Sequence, residues 1–425
     1  MKKLNFTKKS NSEKIIFLID FDAFFASCHI IENPSYKNKP LAVAYSEKYS
    51  IITAASYSAR KFGVKAGLSA FKAIEICPEL LLVKPNYSLY SKASKAVFKF
   101  FYENYSKRIE LASIDECYMD VTNEYKKYGS VSKMAQHILN SVQENFNITC
   151  SIGISTNKIL AKVACDRNKP NGYFRILPFE IENKLWPLHV GKMFGVGTKT
   201  ALLLEKNNIN TIGDLAKVDK NFLIDILNKP GLILWNRANG MDTDVLDINF
   251  SGLKSLGSEV TFNQPTQNLG EIEQFIYDMS FAVRERLLQR NLGAKTITVV
   301  LRYQEAKLTK KRVSMQQTLD KPIHTLEDIF AVSKNNFYKL WDGSLVRLVG
   351  VRASNTAKEY NVKHQLDLNK LDLKFSSVEK IVDGINEKLH QDKLLTGANL
   401  KIKLEEEEKV SKFQKGEFND NKRRS

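Results

Sequence analysis

Ile109-Glu110-Leu111-Ala112-Ser113-Ile114-Asp115-Glu116-Cys117-Tyr118-Met119-Asp120 is the stretch from which the fold can be read. β-favouring residues flank the bend Ser113-Ile114-Asp115-Glu116, so residues 109–112 and 117–121 are expected to form a hairpin with acids at its turn. Upstream, Ile15-Ile16-Phe17-Leu18-Ile19-Asp20 is an apolar run closed by a carboxylate, followed by a helix over residues 23–32. Downstream, a helix over 131–146, a strand over 148–154 and a helix over 157–165 complete an alternating unit. That order predicts an α+β fold, a mixed sheet with helices packed on it. If strand 15–20 lies beside the hairpin, Asp20, Asp115 and Glu116 converge. Hard divalent cations need such oxygen donors, and two ions about 3.5–4 Å apart can activate an attacking oxygen and steady a leaving one. Acids at strand ends are more often solvated turn residues, however, and Asp22 and Asp120 compete for the same role.

The rest of the chain divides by pattern. Residues 1–13 are polar and lysine-rich, the composition of a disordered terminus. Residues 40–45 and 50–54 read as short strands, short helices follow around a Gly63/Gly67 turn, and 87–105 has helical spacing. From 181 to 240 the pattern becomes short helices. Within it, Met193-Phe194-Gly195-Val196-Gly197-Thr198-Lys199-Thr200 reads as a helix, a Gly-hydrophobic-Gly turn and a second helix, a helix-hairpin-helix. Gly195 and Gly197 would let backbone N–H groups approach a DNA phosphate without Cβ interference, with Lys199 adjacent. A purely structural turn between packed helices has the same pattern. Residues 241–254 read as a linker. Strand 255–262, helix 271–290, strands 295–303 and 312–319, helix 325–340 and strand 346–353 then spell βαββαβ, a second sheet with two helices on one face. Lys295, Arg302, Lys307, Lys310, Lys311 and Arg312 on its strands suit a phosphate backbone, although any exposed sheet face carries polar residues. Residues 356–425 are polar, with one helix candidate at 377–389, a Glu405–Glu408 run and a basic tip.

Sixty-four Lys and Arg against 47 Asp and Glu give a formal charge of +17. The excess favours a polyanionic partner, and a genome that favours lysine codons would supply part of it. The five cysteines (28, 77, 117, 150, 165) are odd in number, scattered and without CxxC spacing. They therefore read as buried thiols in a reducing compartment, neither a disulfide framework nor a zinc site. No apolar run reaches membrane-spanning length, and Asp20 and Asp22 interrupt the one stretch resembling a signal-peptide core. The expected location is the cytoplasm.

Taken together, three runs identify a family resemblance. They are Asp20-Phe21-Asp22-Ala23-Phe24-Phe25-Ala26, Ser56-Tyr57-Ser58-Ala59-Arg60-Lys61-Phe62-Gly63-Val64 and Ser113-Ile114-Asp115-Glu116-Cys117-Tyr118-Met119-Asp120. They continue through Ser151-Ile152-Gly153-Ile154-Ser155-Thr156-Asn157-Lys158 and Ala161-Lys162 to Lys169-Pro170-Asn171-Gly172. This order resembles the Y-family, or translesion, DNA polymerases in their bacterial polymerase IV form, over about residues 14–355. The resemblance implies a right-hand fold: palm at 14–22 and 88–180, small fingers at 23–87, a helical thumb at 181–240, and a little finger at 255–355. It implies low-fidelity, template-directed addition of deoxynucleotides to a primer 3′ end by a monomer acting on primer–template DNA. Two Mg²⁺ ions, or Mn²⁺, would be held by Asp20, Asp115 and the backbone carbonyl of Phe21, with Glu116 as the third acid. Phe25 matches the steric gate, whose ring leaves no room for a 2′-hydroxyl. Tyr57, Arg60 and Lys169 match residues that hold the dNTP triphosphate.

Two departures stand out. Ala54 occupies a position where many relatives carry a threonine that contacts the triphosphate. Gln365-Leu366-Asp367-Leu368 resembles a sliding-clamp peptide but is followed by Asn369, without the aromatic anchor. Two other readings are a DNA-binding scaffold of this fold with weakened chemistry and a nucleotidyl cyclase. None of the three acids is missing, which opposes the first. The helix-hairpin-helix and the basic second sheet oppose the second.

Overall fold

Strand β1 (Ile16–Phe21) is buried at all six residues, which requires cover on both faces. The computed structural model describes residues 14–47, 50–241, 245–248, 254–304 and 312–358, in two units, Met1–Ser251 and Gly252–Ser425. The expectations for residues 1–13, the helix at 377–389, the glutamate run, Gln365–Leu368, and Lys307, Lys310 and Lys311 lie outside the described residues.

In the first unit, β2 (Leu41–Val43), β3 (Ala54–Ala55) and β4 (Leu81–Val83) make a small sheet of their own. The main sheet joins β1 to β5 (Ile109–Leu111), β6 (Glu116–Asp120), β7 (Cys150–Ser155) and β8 (Tyr173–Arg175), in the order β5-β6-β1-β7-β8. Alternation along β1 sends Phe17, Ile19 and Phe21 into a core with Tyr90 and Phe101 of the helix Tyr87–Asn104 and Met134 and Ile138 of the helix Val131–Phe146. Each such burial contributes about 2 kcal/mol. Ile16 and Leu18 face the other way, against Ala161 and Cys165 of the helix Lys158–Cys165. That helix lies directly on β7 at Gly153, where an added Cβ would overlap the Ala161 carbonyl and the Cys165 amide. Local signals set the helix ends. Ser130 accepts from the Lys133 N–H to start the helix Val131–Phe146, and Asn147, with φ 53°, stops it.

Three differences from the sequence reading are physical. Strands β4 and β8 are only three residues long, and both pair in parallel with non-local partners. The strand expected at 50–54 reduces to an Ile51–Ser69 bridge and to β3. The short helix expected before the Gly195–Gly197 turn is a 3₁₀ turn, Val190–Lys192; the helix expected after it is Thr198–Lys206. The helices Ile212–Lys217, Lys220–Leu227 and Lys229–Ala238 close a core of their own around Leu204, Leu215 and Leu234.

The second unit follows βαββαβ: β9 (Ser255–Thr266), helix Leu269–Leu288, β10 (Leu292–Tyr303), β11 (Arg312–Ile323), helix Leu326–Leu340 and β12 (Val346–Lys358). The strand order is β11-β10-β12-β9, all antiparallel. Leu256, Val299, Leu301 and Val351 turn toward the two helices, with Ile276, Ile329 and Phe337 among their partners. The helices cover one face, and among the described residues of this unit no helix or strand covers the other. Strand β12 runs to Lys358, three residues into the stretch read from sequence as a tail. Among the described residues no helix is long and apolar enough to cross a membrane, and all five cysteines are buried free thiols.

Candidate active site

The register of β1 on β6 pairs Asp20 with Glu116. Directly opposed residues of an antiparallel pair share a face, with Cβ atoms about 5 Å apart, so both carboxylates rise on the side covered by the helix Lys158–Cys165. The Phe21 N–H donates to the Asp115 carbonyl at 2.9 Å, which locks the hairpin bend beside the end of β1. Two lysines reach the acid pair. Lys169 Nζ lies 2.6 Å from Asp20 Oδ2, and Lys162 Nζ bonds Glu116 and lies 3.4 Å from Asp20 Oδ2. Burial pushes the Asp20 carboxyl up, but its hydrogen bond with Glu116 and the ammoniums of Lys169 and Lys162 hold it below the usual range. Burial and the same shared hydrogen bond push Glu116 up to about 7, against the pull of Lys162, so Glu116 takes a proton more readily than Asp20. Burial opposes the charge on Lys162, yet Glu116 and Asp20 raise it to about 12; Lys169 is likewise raised, mainly by Asp20.

A cavity of about 170 Å³ opens beside this cluster, and Asp20, Phe21, Asp115, Phe25, Tyr57, Arg60 and Lys169 line it. Glu116, opposite Asp20 across the strand pair, is not part of its wall. Asp115 is half-buried, and its Oδ1 accepts from Ser113 Oγ at 2.5 Å. Among the described residues no three His, Cys, Asp or Glu side chains close into one coordination sphere. The carboxylate oxygens of Asp20 and Asp115 are nonetheless the hard donors a divalent cation takes, and such a cation would compete with the Lys169 and Lys162 ammoniums that pair with Asp20.

The Phe25 ring stacks on Tyr90, centroids 4.0 Å apart at 7°, and meets Tyr87 edge-on at 6.0 Å. Tyr90 is fully buried, and its hydroxyl lies 2.7 Å from His29 Nε2. Phe24, 2 % exposed, packs into the core against Phe21. Ala23 makes the switch from β1 to the helix Phe24–Glu32 at φ 46°, a left-handed conformation that sets Phe25 one short turn from Asp20. Ser56 caps the short helix Tyr57–Arg60 by accepting from the Ala59 N–H, which places Tyr57 and Arg60 on one side. The Arg60 guanidinium sits 4.5 Å from the Tyr57 ring centroid and its Nε donates to the Ala55 carbonyl. Thr53 and Ala54 also line the cavity, but the Thr53 hydroxyl donates to the Val43 carbonyl.

Both competing acids have structural partners. Asp22 accepts from Ser151 Oγ (2.8 Å), Tyr57 Oη (3.3 Å) and the Asn171 N–H (2.8 Å), so it ties the two sides of the cavity together. Burial and the Asp22 carboxylate push the Tyr57 phenol up to about 12. Asp120 pairs with Arg108 Nε at 3.0 Å and accepts from Thr122. From sequence Lys162 has no assigned role; it belongs to the Ala161-Lys162 part of the run that carries the resemblance, on the helix Lys158–Cys165. Gly195, Gly197 and Lys199 do not line this cavity. Gly195 adopts φ +99°, which a Cβ would strain, and a Cβ on Gly197 would meet nothing within 4 Å.

Residues 19–166 match the impB/mucB/samB family, and residues 253–368 match that family's C-terminal domain. This chain belongs to that family, the Y family of DNA polymerases. Among curated relatives, a protein of Oceanobacillus iheyensis named DNA polymerase IV is 34% identical over 425 residues, 98% of this chain and 99% of the relative. Among solved structures, a Y-family DNA polymerase chimera, Dbh-Dpo4(243-245)-Dbh, superposes with a TM-score of 0.71 at 28% identity, covering 80% of this chain and 98% of that one. An insertion ternary complex of Dbh DNA polymerase superposes with a TM-score of 0.60 at 27% identity, over the same shares.

Proposed function

We propose that this chain, a DNA-directed DNA polymerase of the translesion kind, extends primer ends at the Asp20–Asp115–Glu116 site. The observation that carries the reading is one cavity that brings Asp20, Asp22 and Asp115, the Phe25 ring and the cations Arg60 and Lys169 together at the end of β1. The substrates are primer–template DNA and deoxynucleoside triphosphates. The primer 3′ oxygen attacks the α-phosphate, and pyrophosphate leaves.

Two Mg²⁺ ions, for which Mn²⁺ can substitute, would be held by the carboxylates of Asp20, Asp115 and Glu116 and the carbonyl of Phe21. When bound, they supply charge stabilisation for the in-line displacement. Arg60 offers a planar donor fork to the triphosphate, and Lys169 a compact charge. Tyr57, oriented by Asp22, completes that cradle. Phe25 is backed by Tyr90 and cannot retreat, so it excludes a 2′-hydroxyl by clash. Any proton on Glu116 would compete with bound cations, and Lys162, paired with Glu116, steadies the charged carboxylate.

Residues 14–22 and 88–180 serve as palm, 23–87 as fingers, 181–240 as thumb and 255–355 as little finger, joined by the linker 241–254. Backbone amides near Gly195 and Gly197, with Lys199, take a DNA phosphate. The enzyme works as a monomer in the cytoplasm, and clamp docking through Gln365–Leu368 is weak without an aromatic anchor. Primer extension on undamaged and abasic templates, with Mg²⁺ or Mn²⁺, tests the reading. Template-dependent products on both are expected; incorporation indifferent to template, or none with either ion, would overturn it.

A further inference from the structure

On the open face of the second unit, Glu259 on β9 stands opposite Gly350 on β12, Gly350 opposite Val300 on β10, and Val300 opposite Ser314 on β11. Glu259 and Arg312 therefore belong to the two outermost strands. At about 4.8 Å per strand their backbones are roughly 14 Å apart. Even so, Arg312 Nη2 donates to Glu259 Oε1 at 2.5 Å. Contact over that span requires both side chains to lie flat across β10 and β12. The lane they use is built into the sheet, since a Cβ on Gly350 would sit 2.5 Å from Glu259 Cγ. Arg352, opposite Gly257 on the same face, brings Nη2 to 3.7 Å from the same carboxylate oxygen. A Cβ on Gly257 would lie 3.3 Å from the Arg352 Cβ. Two glycines thus clear the way for one carboxylate and one of the two guanidinium arms it collects.

Carboxylate and phosphodiester oxygens present the same geometry to a guanidinium fork. We propose that Glu259 is a built-in stand-in for phosphate: it folds Arg312 and Arg352 onto the open face, and the backbone of duplex DNA binds there by displacing it. The inference rests on reading this face as DNA-binding. All three side chains are partly exposed, at 32% for Glu259 and 48% for each arginine, so their mutual attraction is screened and readily exchanged for a phosphate. Once displaced, the Glu259 carboxylate remains beside the incoming phosphates and repels them. Its effect is to weaken the grip and speed release of DNA, and in the free protein to keep two cations from capturing other polyanions.

Full-length Glu259→Gln keeps the shape and removes the charge. Anisotropy of a labelled primer–template across a KCl series should show binding tightened by about threefold or more. The dissociation rate should fall in step, and extension under a heparin trap should give longer products. Arg312→Ala/Arg352→Ala should weaken binding, flatten the salt slope by about one per arginine, and abolish the effect of Glu259→Gln when the three are combined. Unchanged or weaker binding by both Glu259→Gln and Glu259→Ala, with thermal unfolding as in wild type, would overturn the inference while the arginine variant still supports a DNA-binding face. If the arginine variant binds like wild type, the reading of the face falls, and the inference with it.

Discussion

On the first unit's sheet, Asp20 and Glu116 are 10% and 21% exposed, and helices cover both faces. On the second unit's sheet, Glu259, Arg312 and Arg352 are 32–48% exposed, and helices cover one face only. The ion pairs have similar geometry in both places, but their surroundings give them different uses. Under helical cover the effective dielectric is low and each charge is strongly felt by its neighbours, so Asp20 is held below its usual range and Glu116 above it. On the open face water and salt screen every charge, so no single group dominates and partners exchange cheaply. On the function proposed above, chemistry belongs to the covered sheet and grip to the open one.

Four measurements bear on that contrast, in falling order of expected effect. Asp115→Ala should cut primer extension by about 10³-fold or more and leave primer–template affinity within about twofold; normal extension in Mg²⁺ would break the contrast on its covered side. Phe25→Ala should raise ribonucleotide incorporation on the order of 10²-fold, read as the ratio of rNTP to dNTP efficiencies, and unchanged sugar selectivity would reject the gate. The third is a pH effect. Glu116 is pushed up to about 7, so it holds a proton below that pH, and a divalent cation must compete with it. Apparent Mn²⁺ affinity, followed by titration of free ion, should therefore rise with pH by up to about tenfold per unit below 7 and level off above it. Glu116→Gln should flatten that rise, and an equally steep profile in the variant would place the proton elsewhere. The smallest effect belongs to the open face. Arg352→Ala should weaken DNA binding only about two- to fivefold, with the rate of the bound complex unchanged; a collapse in that rate would mean the face does more than grip.

The parts of this fold that were legible from sequence have strong local periodicity or capping. The helix Val131–Phe146 falls on the residues its spacing indicates, between Ser130 and Asn147. The six elements of the second unit appear in their expected order because each is long. Strands β4 and β8 were invisible, since three residues carry no readable alternation and their partners are distant in the chain. Residues 50–54 misled because Ile51 looks like a strand residue yet is 59% exposed. At the site, acids at strand ends were visible. Their pairing was not, because the Asp20–Glu116 register depends on contacts about a hundred residues apart. Lys162 was visible as part of the resembling run but its role was not, because a lysine on an amphipathic helix looks like every other one until the sheet beneath it is known.

Gly153 has no side chain and touches no charge, yet it sets a clearance. Because the helix Lys158–Cys165 rests on β7 at that point, the height of Lys162 above Asp20 and Glu116 is fixed by a missing methyl group. A survey of this enzyme that looked for function only among its polar residues would file Gly153 under packing. It is better regarded as the gauge block of the site: thicken it by one carbon, and every polar group keeps its identity while the tolerance between lysine and acid is lost.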